Sequence, residues 1–150
     1  MTQGVSRDFS AQYGYQFEEL SVGMTAEYSK TVTEADIVLF AGISGDTNPV
    51  HLDEEFAAST MFGGRIAHGM LSAAFVSAAL GTRLPGPGSI YVSQTLAFRA
   101  PVKIGDTVVT RVTVKALNPE KRRVTLTTDC FVKDVIVMRG EAEILIPARK

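Results

Sequence analysis

The chain has 150 residues, 45% of them hydrophobic and 21% charged, which fits one globular domain large enough to bury a core without staples. Against 16 acidic residues stand 15 basic ones, leaving a net charge of -1; no long-range field draws nucleic acid or an anionic membrane. A single cysteine, Cys130, excludes an intramolecular disulfide, and two histidines beside it offer no clustered metal-ligand spacing.

Residues 1–22 show no clear period and no apolar run, and read as an N-terminal arm or loosely tied leader ahead of one domain over 23–150. With no targeting signal, the expected location is the cytoplasm. Met24 to Val32 alternates weakly and predicts a first strand. Thr33-Glu34-Ala35-Asp36 predicts a helix start, since Thr33 can accept a free N–H and the acids complement the positive helix end. Ile37, Leu39, Phe40 and Ile43 supply its apolar face, and Gly45 its stop. Asp46 to His51 is then a polar loop in which Pro49 prevents regular pairing. Asp53 to Ser59 predicts one or two helical turns.

Gly69 to Leu80 is apolar on nearly every side and rich in small residues, which predicts a helix surrounded by protein and ended by Gly81. Leu84-Pro85-Gly86-Pro87-Gly88 is a turn-forming loop. From Ser89 the period changes to two. Strands are predicted over Ile90–Arg99, Thr107–Leu117, Arg122–Val132 and Val135–Ile146, with hairpins at Asn118–Lys121 and Lys133–Asp134. The basic run Lys121-Arg122-Arg123 reads as a solvated turn, and Cys130 as a small packed thiol. One apolar helix followed by an antiparallel meander defines an α+β domain with the sheet curled around the helix.

Both histidines fall between the two helical patterns, in Ser44-Gly45-Asp46-Thr47-Asn48-Pro49-Val50-His51 and Ala67-His68-Gly69-Met70-Leu71. A carboxylate and an imidazole on one loop beside a core are the parts of a general acid–base pair. Each has a plainer reading. Asp46 is equally a helix cap, Asn48-Pro49 a turn, His51 and His68 hydrogen-bonded structural histidines, Gly69 a close-packed helix start, and Ser77 a serine bonding back to its own helix.

The pattern Asp46-x-Asn48-Pro49-x-His51, then Ala67-His68-Gly69-Met70-Leu71, then Gly88-Ser89-Ile90-Tyr91 ahead of Phe98 and Pro101-Val102, resembles the MaoC-like hot-dog hydratases over roughly Gly23 to Pro147. Within that family the likeness is to (R)-specific enoyl-CoA hydratases. The resemblance implies a hot-dog fold, an antiparallel sheet wrapped around one long buried helix, working as a homodimer or higher homo-oligomer. It implies reversible hydration of a trans-2-enoyl-CoA to an (R)-3-hydroxyacyl-CoA, in fatty-acid metabolism or polyhydroxyalkanoate supply. No cofactor and no metal are expected, coenzyme A being part of the substrate. Asp46 and His51 match the catalytic pair, Asn48 a residue that holds the site together, Gly69 the N–H that receives the thioester oxygen, and Ser77 a helix serine facing the pocket. The same fold also carries thioesterases and non-catalytic acyl-CoA-binding subunits, which stand as the rival readings. A sheet edge left open by one such unit also points to a dimer.

Overall fold

The computed structural model describes residues 4–150. Five strands form one antiparallel sheet in the order β1-β4-β5-β6-β2: Thr25–Thr31, Thr107–Asn118, Arg123–Val132, Val135–Leu145 and Ile90–Gln94. A two-residue strand β3, Ala97–Phe98, also pairs with β6. The alternation in the long strands turns Val108, Thr110, Val112 and Val114 of β4, and Val124, Leu126, Thr128 and Cys130 of β5, to one side, all buried. Helix α4, Gly69–Thr82, lies on that side and buries Leu71, Ser72, Phe75, Val76, Ala79 and Leu80 against it. This is the predicted α+β arrangement.

Helix α1, Glu34–Ser44, begins and ends as its sequence dictates. Thr33 Oγ1 accepts from the Asp36 N–H at 3.2 Å, and Asp36 accepts from the Thr33 N–H at 2.9 Å. Gly45 takes the left-handed conformation (φ 78°) at its end. Its buried face differs from expectation. Ile37 and Ala41 are buried, whereas Leu39 and Ile43 are exposed, because Leu39 lies about 200° around the helix from Ile37.

Pro49 also differs. It occupies the first position of a helical turn, α2 (Pro49–Leu52), where its fixed φ suits the helix and its missing N–H costs nothing. The next turn, α3 (Glu54–Ala58), is capped by Asp53 accepting from the Phe56 N–H at 3.1 Å.

Helix α4 runs one residue past Gly81, and Thr82 Oγ1 closes the end by donating to the Ala78 carbonyl at 2.6 Å. It is not surrounded: Met70, Ala74, Ser77 and Gly81 form an exposed stripe on the side away from the sheet. The strand predicted over Ile90–Arg99 is broken into β2 and β3. Thr95 Oγ1 accepts the Glu141 N–H at 2.9 Å, and the Thr95 carbonyl lies 1.9 Å from where a side chain on Gly140 would begin, so the ladder is pinched there. The expected loose leader is tied down at its far end. Phe17 and Leu20 enter the core, Glu18 pairs with Arg122, and the Gly14 and Tyr15 N–H groups donate to Pro87 and Pro85. Among the described residues, no helix is long and apolar enough to cross a membrane.

Candidate active site

The segment from Gly45 to Gly69 leads into the start of α4, closes on itself by a backbone bond and is anchored to the chain beyond α4 by another. The Ile66 N–H donates to the Val50 carbonyl at 3.2 Å, and the Ala67 N–H to the Val102 carbonyl at 2.7 Å. Arg65 clamps the helical turns. Its Nε donates to the His51 carbonyl at 2.6 Å, and its two terminal nitrogens grip the Glu34 carboxylate at 2.8 and 2.9 Å. Nothing in the sequence singles out Arg65, whose partners lie 14 and 31 residues away.

Within this frame Asp46, His51 and His68 converge, with one polar atom of each inside 4.8 Å of the others. Asp46 divides its carboxylate. Oδ1 accepts from the Asn48 N–H at 3.2 Å, a local turn bond, while Oδ2 faces His51 Nε2 at 3.9 Å. Asp46 does not cap the following helix, a part that falls to Asn48; it shapes the preceding turn and leaves one oxygen toward His51. Asn48 caps α2 by accepting from the Val50 N–H at 3.1 Å, which fixes the turn that carries His51.

His51 is buried, and its Nδ1 lies 2.8 Å from the Ile66 carbonyl. A carbonyl only accepts, so in the neutral ring the proton sits on Nδ1 and the Nε2 lone pair faces Asp46. Burial holds the imidazole below its ordinary range; the Ile66 bond opposes this, the neighbouring His68 adds to it, and the Asp46 carboxylate opposes it. The 3.9 Å gap is too long for a direct hydrogen bond and short enough for one water to touch both groups.

His68, read from sequence as structural, stacks on His51 with ring centres 3.8 Å apart and planes inclined by 28°. Both rings commit one nitrogen to a backbone carbonyl.

Gly69 opens α4, where the first N–H groups have no partner within the helix and the helix dipole is positive. The Phe98 ring lies so near that a side chain on Gly69 would start 2.6 Å from it, which explains the glycine. A cavity of about 460 Å³ joins Asp46, His68, Gly69, Met70, Phe98 and Arg99. Met70 also borders a second hollow of about 470 Å³ between α4 and β2, lined by Phe40, Ala73, Ala74 and Tyr91. Ser77 is not brought to the Asp46–His51 cluster. It lies on the exposed stripe of α4, eight residues and about 12 Å along the helix from Gly69. Cys130 is buried, its thiol pushed up to about 11 by that burial, and its partners are Thr110 and the Ser72 carbonyl. It takes no part in the cluster.

A sheet wrapped on one helix, with a carboxylate and an imidazole facing each other on a segment overhanging the helix start, defines a hot-dog protein. Residues 18–136 match the family described as MaoC like domain, and the chain belongs to that family. It is 57% identical to the (R)-specific enoyl-CoA hydratase of Rhodospirillum rubrum over 135 residues, covering 90% of this chain and 94% of the relative. It is 54% identical to the 3-hydroxybutyryl-CoA dehydratase of Methylorubrum extorquens, covering 89% and 85%. Among solved structures, the unliganded R-hydratase PhaJ1 of Pseudomonas aeruginosa is 50% identical, with a TM-score of 0.84 over 89% of this chain and 86% of that one.

Proposed function

We propose that this chain is an (R)-specific enoyl-CoA hydratase, adding water to trans-2-enoyl-CoA to give (R)-3-hydroxyacyl-CoA and reversing the reaction by dehydration. The observation that carries the reading is the Asp46 Oδ2–His51 Nε2 pair, facing across 3.9 Å beside the start of α4. Relatives at 57% and 54% identity bear the names of this hydro-lyase chemistry.

The chemistry follows from the tautomer. One water is held between His51 Nε2 and Asp46 Oδ2. Its oxygen attacks the β-carbon while Nε2 takes its proton, and the double-bond electrons move onto the thioester oxygen. The Gly69 N–H receives the enolate oxygen at the positive end of α4. The imidazolium, held beside the Asp46 carboxylate, returns the proton to the α-carbon on the same face. One water is consumed and nothing is oxidised or reduced, so the reaction asks for no redox cofactor, and the steps above assign every proton to the pair of His51 and Asp46 without calling on a metal. Asn48 keeps the turn in place. Ser77 is proposed as a further contact for the acyl chain, about one turn along the exposed stripe of α4 from Ala74, which borders the hollow between α4 and β2, and about two from Met70, which borders both hollows. A second copy of the chain covering that stripe and the open edge β2 gives the proposed homodimer. A cytoplasmic location fits a chain whose one cysteine is a free, buried thiol. The (R)-3-hydroxyacyl product serves fatty-acid metabolism or polymer supply.

Loss of enoyl absorbance with crotonyl-CoA, followed by chiral analysis of the product, tests this directly. The parent is expected to give the (R) alcohol, and Asp46→Asn and His51→Ala to lose about 10²–10⁴-fold in kcat with folding intact. Release of free CoA without hydration would reassign the chain as a thioesterase. Binding of enoyl-CoA without either reaction would make it a non-catalytic subunit.

A further inference from the structure

We infer that His68 is a positioning residue that fixes the Asp46 carboxylate, the His51 imidazole and the Gly69 N–H relative to one another; the inference rests on the hydratase reading. Three contacts carry it. His68 Nε2 lies 2.9 Å from the Asp46 carbonyl, 22 residues away, and since a carbonyl only accepts, the Nε2–H donates. The His68 ring stacks on His51 at 3.8 Å, and Phe40 packs on it at 4.9 Å. His68 is also the residue that caps α4, so its backbone leads directly into Gly69.

No local bond supplies this tie. The other hydrogen bonds on Asp46 come from Ser44, which accepts the Asp46 N–H at 3.1 Å, and from Asn48, whose N–H reaches Oδ1 at 3.2 Å. Both span two residues and shape the loop without setting its distance from the helix start. His68 makes the long-range connection. A merely packed ring would be served equally well by an apolar residue, yet here a polar ring is 2% exposed with its Nδ1 buried and unpaired by any described residue. The unpaired Nδ1 is a cost that the Nε2 contact alone offsets. A misplacement of about 1 Å at such a pair costs on the order of 100-fold in rate, so the tie acts on the chemical step rather than on substrate binding.

The full-length chain and two variants separate the donor from the ring. His68→Phe keeps the stack and loses the donor. His68→Gln places an amide N–H near the position of Nε2 and loses the stack. With crotonyl-CoA, His68→Phe is expected to lose about 30- to 100-fold in kcat with KM within about threefold. His68→Gln is expected to recover most of that loss. A His68→Phe enzyme within about threefold of the parent kcat, or a folded His68→Gln enzyme as slow as His68→Phe, overturns the inference. Long-range 1H–15N spectra of the parent give a reading independent of whether a variant folds. Neutral His68 is expected to carry its proton on Nε2 and neutral His51 on Nδ1, and the opposite tautomer at either ring overturns the inference. A parent that hydrates no enoyl-CoA overturns the hydratase reading and this inference with it; an active parent with unaffected variants overturns this inference alone.

Discussion

At His51, burial and hydrogen bonding act in opposite directions on one imidazole. Burial wins, and the ring gains its proton only below its ordinary value of 6.5. The form with a free Nε2 lone pair therefore persists to lower pH than in an exposed histidine. The kcat/KM profile for crotonyl-CoA is expected to fall on its acid side with a midpoint below 6.5. Stability follows the same sign. The unfolded chain binds the proton at 6.5 while the folded ring resists it, so the His51 contribution is complete above 6.5 and is lost as pH falls through the lowered folded value. An acid limb centred above 6.5 would remove His51 as the proton acceptor. The division of the Asp46 carboxylate belongs to this scale as well: one oxygen builds the turn and the other faces His51 Nε2.

Among the elements, the short turns α2 and α3 depend on Arg65. A five-donor guanidinium joins the His51 carbonyl to the Glu34 carboxylate, and its side chain is 14% exposed. Arg65→Met is expected to lower the unfolding free energy by about 2 kcal/mol in urea titration, since hydrogen bonds to charged groups are the stronger class. An unchanged midpoint would show that the clamp contributes nothing to the fold. Local signals are legible in the amino-acid order itself. Thr33 with Asp36, Gly45 and the period-two strands each act through neighbours a few residues away. The overturned expectations needed distant partners. Exposure of Leu39 and Ile43 depends on where α1 meets the rest of the chain, and the break between β2 and β3 depends on Thr95 meeting Gly140 and Glu141. The same holds in the site. Asp46, Asn48 and His51 share a readable motif, whereas the parts played by Arg65 and His68 arise from contacts 14 to 31 residues away.

Across the whole molecule the two faces of the sheet are treated differently. The outward face carries paired charges, Arg111 with Glu27, Arg123 with Glu143, Lys115 with Glu141 and Arg139 with Asp129. Uncovered apolar surface lies at Met70 of α4 and on β2, where Ile90, Tyr91 and Val92 are each at least 40% exposed at a sheet edge, and also on α1 at Leu39 and Ile43. That asymmetry supports the proposed dimer. Light scattering is expected to give twice the 16.1 kDa chain mass, and Ala74→Arg or Val92→Lys to shift it toward the single chain. A parent of 16.1 kDa at micromolar concentration would count against the dimer.

The anchoring of the overhanging segment has a consequence for synthesis. Asp46, His51, His68 and Gly69 are all translated before residue 70, as are the Arg65, Ile66 and His68 groups that tie them together, but the elements on which the segment and α4 rest come later. Ala67 waits for the Val102 carbonyl, Gly69 for the Phe98 ring, and α4 for β4 and β5. A chain ending near residue 95 would hold all four candidate residues and lack β4 and β5, strands against which α4 packs, along with β6. The proposed site therefore depends on the C-terminal half of the chain, which contributes none of the side chains of the Asp46, His51 and His68 cluster.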